Sequence, residues 1–325
     1  MTIARRFVSI PILVVISATF GWVNAQPYPV KPVRFVTAFP AGGPSDIVAR
    51  AFGKRMAEIM GQPVVIDNRA GAGGNIGVEY VAKSAADGYT LLLGGSFMSI
   101  APSLHRKLPF DPEKDFAPIA LLVANQYVLA VHPSVPAANV KDLIKLAKAR
   151  PGQIKYASAG IGSPPHLSGE LFMAMAGIAL SHIPYKGATP ALVDLMGGHI
   201  DCYFGGIAGV LPHIRSGKVR ALAVTSEKRS SQLPEMPTIA EAALPGYDVT
   251  TWFGMLAPAA TPKDIITRIS VVVLGIVNEP ESKTYLTAQG VEPFAGGPER
   301  LAAYFRAEIP KFARVIKAAG IKPEF

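Results

Sequence analysis

The chain has 325 residues, 50% of them hydrophobic, with a formal charge of +9 and a single cysteine, Cys202. That length allows two domains or one large one, and one cysteine excludes an internal disulfide or a cysteine-based metal site. The basic residues are dispersed, as in Lys141, Lys145 and Lys148 around Asp142, with no interleaved aromatics, which excludes a nucleic-acid-binding stripe.

Residues 1–25 read as an export leader. Arg5 and Arg6 precede an apolar run from Phe7 to Val23, and Val23-Asn24-Ala25 is a small-residue cleavage site. Cutting after Ala25 is expected, giving an exported, periplasmic protein. No later stretch is apolar enough to span a bilayer.

Val33 to Ala38 is a buried strand. Phe39-Pro40-Ala41-Gly42-Gly43-Pro44 cannot continue it, since its prolines remove donors and its glycines free the backbone to turn. Ser45 reads as an N-cap, followed by a helix from Ile47 to Met60. Strand, glycine loop and helix start together aim free backbone N–H groups at an anion. Pro63 to Asp67 is the next strand and Ile76 to Ala85 the next helix. The glycines from Gly71 to Gly77 resemble half of a dinucleotide fingerprint, without the acidic residue that ribose binding needs. Tyr89 to Gly94 is a third strand, ending in the loop Gly95-Ser96-Phe97-Met98-Ser99. This alternation implies a parallel sheet with helices on both faces.

Ile119 to Val131 is β-prone over about twice a normal strand length. It reads as a segment crossing from one domain into another. The pattern then repeats: helix Val140 to Ala149, strand Lys155 to Ala159, the loop Gly160-Ile161-Gly162-Ser163-Pro164-Pro165 and a helix from His166 to Ala176. Strands follow at Leu180 to Tyr185, Asp201 to Phe204 and Val219 to Thr225, with a helix from Ala191 to Met196. Tyr247 to Leu256 is a second crossing segment. Helices Pro262 to Asn278 and Pro298 to Ala319 return to the first domain. The expected division is 26–124 with 254–325 as domain 1 and 125–253 as domain 2. Two crossings make a hinged clam-shell whose ligand lies outside the carboxyl ends of the strands.

The chemistry in these loops is sparse. Ser163 and His166 are three apart and read either as a nucleophile pair or as a helix cap beside a packed histidine; no G-x-S-x-G elbow is present. The histidines at 105, 132, 166, 182, 199 and 213 are scattered, with no H-x-x-x-H pair, so neither a metal nor another cofactor is expected. Asp46 reads as a helix-start stabiliser or as a contact for a cationic group. Phe39, Phe97, Tyr185, Phe204, Trp252 and Phe253 fall near strand ends, as core or as a flat apolar slot. Lys186 is the one cation in the cleft loops. Anion binding therefore falls to backbone N–H groups, hydroxyls and helix starts, which favours a carboxylate over a polyphosphate.

The segments YPVKPVRFVTAFPAGGPSDIVAR, VIDNRAGAGGNIGVEYVAKSAADGYTLL, KYASAGIGSPPHLSGELF, HIPYKGATPALVDLMGGHIDCYF, GKVRALAVTS and WFGMLAPAATP resemble, in the same order, the substrate-binding proteins of tripartite tricarboxylate transporters, the Bug or TctC family. The resemblance implies an α/β fold of the periplasmic binding protein type II class, with two doubly wound domains joined by two crossing strands. It implies a non-catalytic receptor that captures a small carboxylate and delivers it to membrane permease subunits. The ligand roles it suggests fall on Phe39, Pro40, Ala41, Gly42, Ser158, Gly162, Ser163 and His166, and further on Ser96, Phe97, Gly187, Ala188 and Phe204. Pro44 stands where the family often has glycine, which removes a donor from the first loop. A monomer is expected, and the aromatics tilt the ligand toward an aromatic acid such as terephthalate, with dicarboxylates the other class. The rivals are an exported hydrolase using Ser163 and His166, and a sensory subunit presenting ligand to a membrane kinase.

Overall fold

The structure is a computed structural model that describes residues 28–185, 187–318 and 320–323. The expected leader and Lys186 lie outside the described residues.

The first half of the chain runs β1 (Val33–Thr37), α1 (Pro44–Met60), β2 (Val64–Asn68), α2 (Asn75–Ala82), β3 (Thr90–Gly95), α3 (Ser96–Leu104) and β4 (Phe116–Asn125). The middle runs β5 (Tyr127–Val131), α4 (Val140–Ala149), β6 (Lys155–Ser158), α5 (Pro164–Ala176), β7 (Ser181–Pro184), α6 (Ala188–Met196), β8 (Cys202–Gly206), α7 (Ile207–Arg215), β9 (Arg220–Val224) and α8 (Ile239–Ala242). The chain then closes with β10 (Thr251–Pro258), α9 (Lys263–Asn278), α10 (Pro280–Ala288), β11 (Val291–Gly296) and α11 (Pro298–Ala318).

Two sheets result. The first has the order β11-β4-β10-β3-β1-β2 and the second β7-β6-β8-β5-β9. The long β-prone run is divided by Gln126, with β4 in the first sheet and β5 in the second. The return passes from Val249, whose N–H donates to Thr225 O in the second lobe, to Thr251, which pairs with Asn125 in the first sheet. The sheets are not wholly parallel. β1, β2 and β3 run together, as do β6, β7 and β8, whereas β10 opposes β3 and β4, and β5 opposes β8 and β9. A strand that arrives from the other lobe enters from the opposite end, which sets its direction.

Each sheet is apolar on both faces because helices cover both. Val33 and Phe35 of β1 face Phe52 and Met56 of α1 and Val273 of α9, while Val36 faces the side of Val78, Leu301 and Phe305. In the second sheet Leu129 packs with Leu143 and Phe172, and Val128 with Leu195 and Ile207. Burying each such side chain contributes roughly 1.5–3 kcal/mol. A further cluster joins the lobes: Ile100 of α3, Leu167 of α5 and Phe312, Val315 and Ile316 of α11.

Several elements depart from the sequence reading. α1 begins three residues before Ile47, with Gly43 as N-cap and Pro44 in its first turn. A proline's fixed φ suits that position, so Ser45 is an interior, buried residue and not the cap. The segment 96–99, read as a loop, is the first turn of α3. α7 and α10 were not foreseen, nor was β11, which carries Pro293 at the sheet edge, where a missing N–H is tolerated.

Candidate ligand cleft between the two sheets

The strands β3 and β8 run directly into a helix and β1, β6 and β7 reach one through a short loop, and these junctions build the site. The N-caps of α1, α3, α6 and α7 are Gly43, Gly95, Gly187 and Gly206, and none makes a side-chain cap hydrogen bond. By contrast α4, α5 and α8 are closed by the side chains of Asn139, Ser163 and Thr238. A glycine has no side chain to accept them, so first-turn N–H groups at such starts go to backbone partners, as the Ile207 N–H of α7 goes to Gln126 O, or to water or an anion.

The first-lobe loop is braced by charge. Asp46 Oδ2 accepts the Gly42 N–H at 2.9 Å and Arg50 Nε at 2.8 Å, and its Oδ1 accepts Asn68 Nδ2 at 3.0 Å. Asn68 Nδ2 also reaches Phe39 O at 3.2 Å. The Arg50 bond holds the Asp46 carboxyl down to about 2; burial opposes it, and Gly42 and Asn68 assist. The Gly42 N–H is thus engaged by Asp46, while Pro40, Ala41 and Gly42 form an exposed rim. Phe39 stands edge-on to Phe97 with centroids 5.0 Å apart, giving the loop an aromatic wall.

Ser96 does not face the rim. It is 2% exposed, accepts the Trp252 N–H at 3.2 Å and donates to Glu308 Oε1 at 3.4 Å. Glu308 also accepts Ser99 Oγ at 3.0 Å and Trp252 Nε1 at 2.5 Å. Burial pushes the Glu308 carboxyl up to about 7, against the hydrogen bond from Trp252. Ser96 therefore fastens α3 to the return strand β10 and to α11.

The second-lobe loop is braced by stacked rings. Ser158 Oγ accepts the Gly160 N–H at 3.1 Å and lies 2.7 Å from His182 Nε2. Ser163 Oγ donates to Gly160 O at 2.6 Å and caps the His166 N–H. His166 Nδ1 accepts the Gly162 N–H at 3.0 Å, and its Nε2 lies 3.4 Å from Glu170 Oε1. Glu170 also accepts the Tyr156 hydroxyl at 2.6 Å. The rings of His166 and His182 stack at 4.2 Å, and those of His182 and Tyr156 at 4.8 Å. Burial, with His166 beside it, pushes His182 down to about 4. Burial pushes Glu170 up, but the bonds from His166 and Tyr156 outweigh it and hold the carboxyl below its ordinary range. Gly187 and Ala188 start α6 at the partly open edge of this lobe. Phe204 does not line the cleft; it is fully buried against Phe172 and Tyr156.

A groove of about 670 Å³ runs beside the loop, between Ile76 and Leu104 of the first lobe and Ile161 of the second, with Lys107 and Lys322 at its margin. Sequence reasoning missed His182, Glu170, Tyr156, Asn68 and Glu308 as parts of this machinery. One signal was available: His166 and Glu170 stand four apart, adjacent on a helix face. Ser163 gives its hydrogen to Gly160 O and His166 Nδ1 is taken by Gly162, so the two side chains are not set as nucleophile and base. Among the described residues no group of three or more metal-ligating side chains is present.

Residues 48–321 match the profile of the tripartite tricarboxylate transporter family receptor, TctC. The chain belongs to this family. BugT of Bordetella pertussis is 36% identical over 324 residues, covering 99% of each chain. The solved structure of Rpa4515 from R. palustris with adipate is 38% identical, covers 91% of this chain and all of that one, and superposes with a TM-score of 0.81. MatC from Rhodopseudomonas palustris with bound malate is 32% identical, covers 89% of this chain and all of that one, with a TM-score of 0.76. TctC receptors are periplasmic solute-binding proteins, not enzymes, that bind small carboxylates and work with membrane transporter subunits. The type II periplasmic binding protein architecture expected from the resemblance is the one found.

Proposed function

We propose that this receptor captures a small dicarboxylate between its two sheets and delivers it to a tripartite tricarboxylate-type permease. The observation that carries this reading is the set of helix starts with glycine N-caps at the ends of β1, β3, β7 and β8, left without side-chain caps. These suit anionic oxygens without calling for a cation. One carboxylate is met in the second lobe by the start of α6 at Gly187 and Ala188, beside the loop of Ser158, Gly162 and Ser163, whose own hydrogen bonds are made to His182, His166 and Gly160. The other meets the Phe39–Gly42 rim and the start of α3 beside Phe97. The Phe39–Phe97 wall and the apolar groove beside Ile161 suit the hydrocarbon between two carboxylates, whether a methylene chain as in adipate or a ring as in terephthalate. Residues 26–124 with 254–325 and residues 125–253 act as two jaws that close on the ligand as a monomer, after cleavage behind Ala25.

A thermal-shift panel on protein recovered from the periplasm tests this. Adipate, malate, terephthalate, benzoate and glutamate are the probes. A ligand at 100 times its Kd stabilises the folded state by about 2.7 kcal/mol, which moves the midpoint by a few degrees. Shifts with dicarboxylates and none with monocarboxylates are expected. A flat response across the panel removes the proposal.

A further inference from the structure

We infer that His166 and His182 are positioning residues, which hold the second-lobe loop in shape through Gly162 and Ser158 and do not touch the ligand. The inference rests on the ligand reading above. The loop has few alternatives. α5 opens with Pro164 and Pro165, which have no N–H to offer, and the next N–H, that of His166, is capped by Ser163. Two loop amides, Gly160 and Gly162, point inward instead. Gly160 reaches His182 by way of Ser158 Oγ, and Gly162 reaches His166 directly. Gly162 has φ +76, and a Cβ there would stand 2.6 Å from Leu104 Cδ1. Its orientation therefore sets how the loop meets the first lobe.

The bond from Gly162 fixes the tautomer of His166. Since His166 Nδ1 accepts from Gly162, its proton lies on Nε2, facing Glu170 Oε1. Two imidazoles stacked at 4.2 Å do not both carry charge, and burial, with His166 beside it, pushes His182 down, so His182 is the ring kept uncharged. The groups around the pair are Glu170 on the same helix as His166, Tyr156 and Ser158 of β6, and Cys202 of β8, close to Tyr156. Only Glu170 is an acid, and it is shared between His166 and Tyr156. The result is a neutral, ring-stacked brace behind a loop proposed to receive an anion. It pre-shapes the loop before the ligand arrives, which spares the ligand the cost of ordering it.

The atoms used predict opposite rescue at the two sites. Asparagine places its amide oxygen where a histidine has Nδ1; glutamine places its terminal amide near Nε2. His166→Asn should keep the Gly162 amide protected from hydrogen exchange, while His166→Gln and His166→Leu should speed its exchange about tenfold, the worth of one ordinary hydrogen bond. At the second site His182→Gln should preserve Gly160 protection and His182→Asn should lose it. Adipate affinity, measured by calorimetry, should follow protection, with the unprotected variants about tenfold weaker. If His166→Leu does not fold, His166→Gln carries the same contrast. Equal exchange at Gly162 in the asparagine and glutamine variants overturns the inference. So does unchanged adipate binding in a variant that has lost protection. Failure of the unaltered protein to bind adipate, with Gly162 protected and the rescue pattern intact, counts against the proposed ligand and leaves the brace standing.

Discussion

The two cleft loops solve one backbone problem with different chemistry. Each follows a strand, turns through glycines of positive φ and enters a helix at proline: Gly42 and Pro44 in the first, Gly162 and Pro164 in the second. The first is held by a carboxylate, Asp46, bonded to Arg50, Asn68 and Gly42. The second is held by uncharged imidazoles backed by Tyr156 and Glu170. A charged brace tolerates mild acid and responds to salt when its partner is exposed; a neutral histidine brace gives way in mild acid. Similar loop geometry therefore does not imply similar response to conditions.

The largest effect that breaks the comparison is steric. Gly162→Ala forces a positive φ on a residue with a Cβ and drives it into Leu104, whereas alanine at Gly42 meets nothing within 4 Å. Urea denaturation should show a loss of about 2–4 kcal/mol for Gly162→Ala and about 1 kcal/mol for Gly42→Ala. Next comes the charged brace itself. Asp46→Ala leaves the Gly42 N–H and the Asn68 amide without their acceptor, at a cost of about 2 kcal/mol in the same assay.

The pH dependence of unfolding separates the loops without altering their size. His182 is lowered to about 4 in the folded protein from its ordinary 6.5. Between these values the unfolded chain binds the proton and the folded one does not, so stability falls as pH drops from 6.5 toward 4. Asp46 is lowered to about 2 from 3.8, so its contribution is complete above 3.8 and is lost as pH falls through 2. His182→Gln should flatten the upper limb and leave the lower one. Glu308, raised to about 7 from 4.5, has the opposite sign: its contribution is complete below 4.5 and is lost as pH rises through 7. Glu308→Gln should remove that decline, read as a denaturation midpoint that no longer drops between pH 4.5 and 8. The smallest effect belongs to Arg50, whose side chain is 57% exposed. Arg50→Ala should lower the denaturation midpoint only slightly, and less again in high salt.

Much of the frame was legible because glycine, proline and β-branched runs act locally. Val140–Ala149 is a helix over the very residues read as one, behind its cap Asn139. The run through Gln126 showed its double role by length alone. The turn of Gly95 into α3 was hidden because Ser96, Ser99 and Pro102 are weak helix formers; α3 is held by burial of Met98 and Ile100 and by Glu308, 209 residues beyond Ser99. α7 was hidden by Gly209 and Pro212 within its nine residues. Ser96, His182 and Phe204 illustrate the limit at the site. Their chain positions were legible, but whether each side chain turned to the cleft or away depended on partners remote in sequence, such as Glu308 for Ser96.

The contact of Leu167 with Ile100 and Phe312 across the lobes has a thermal consequence. Any opening of the jaws that parts α5 from α3 and α11 wets this oily seam. It thereby raises the heat capacity of the open form, and the grip of the seam weakens on cooling rather than strengthening. In the jaw motion proposed above, the open population would therefore grow on cooling in the absence of ligand.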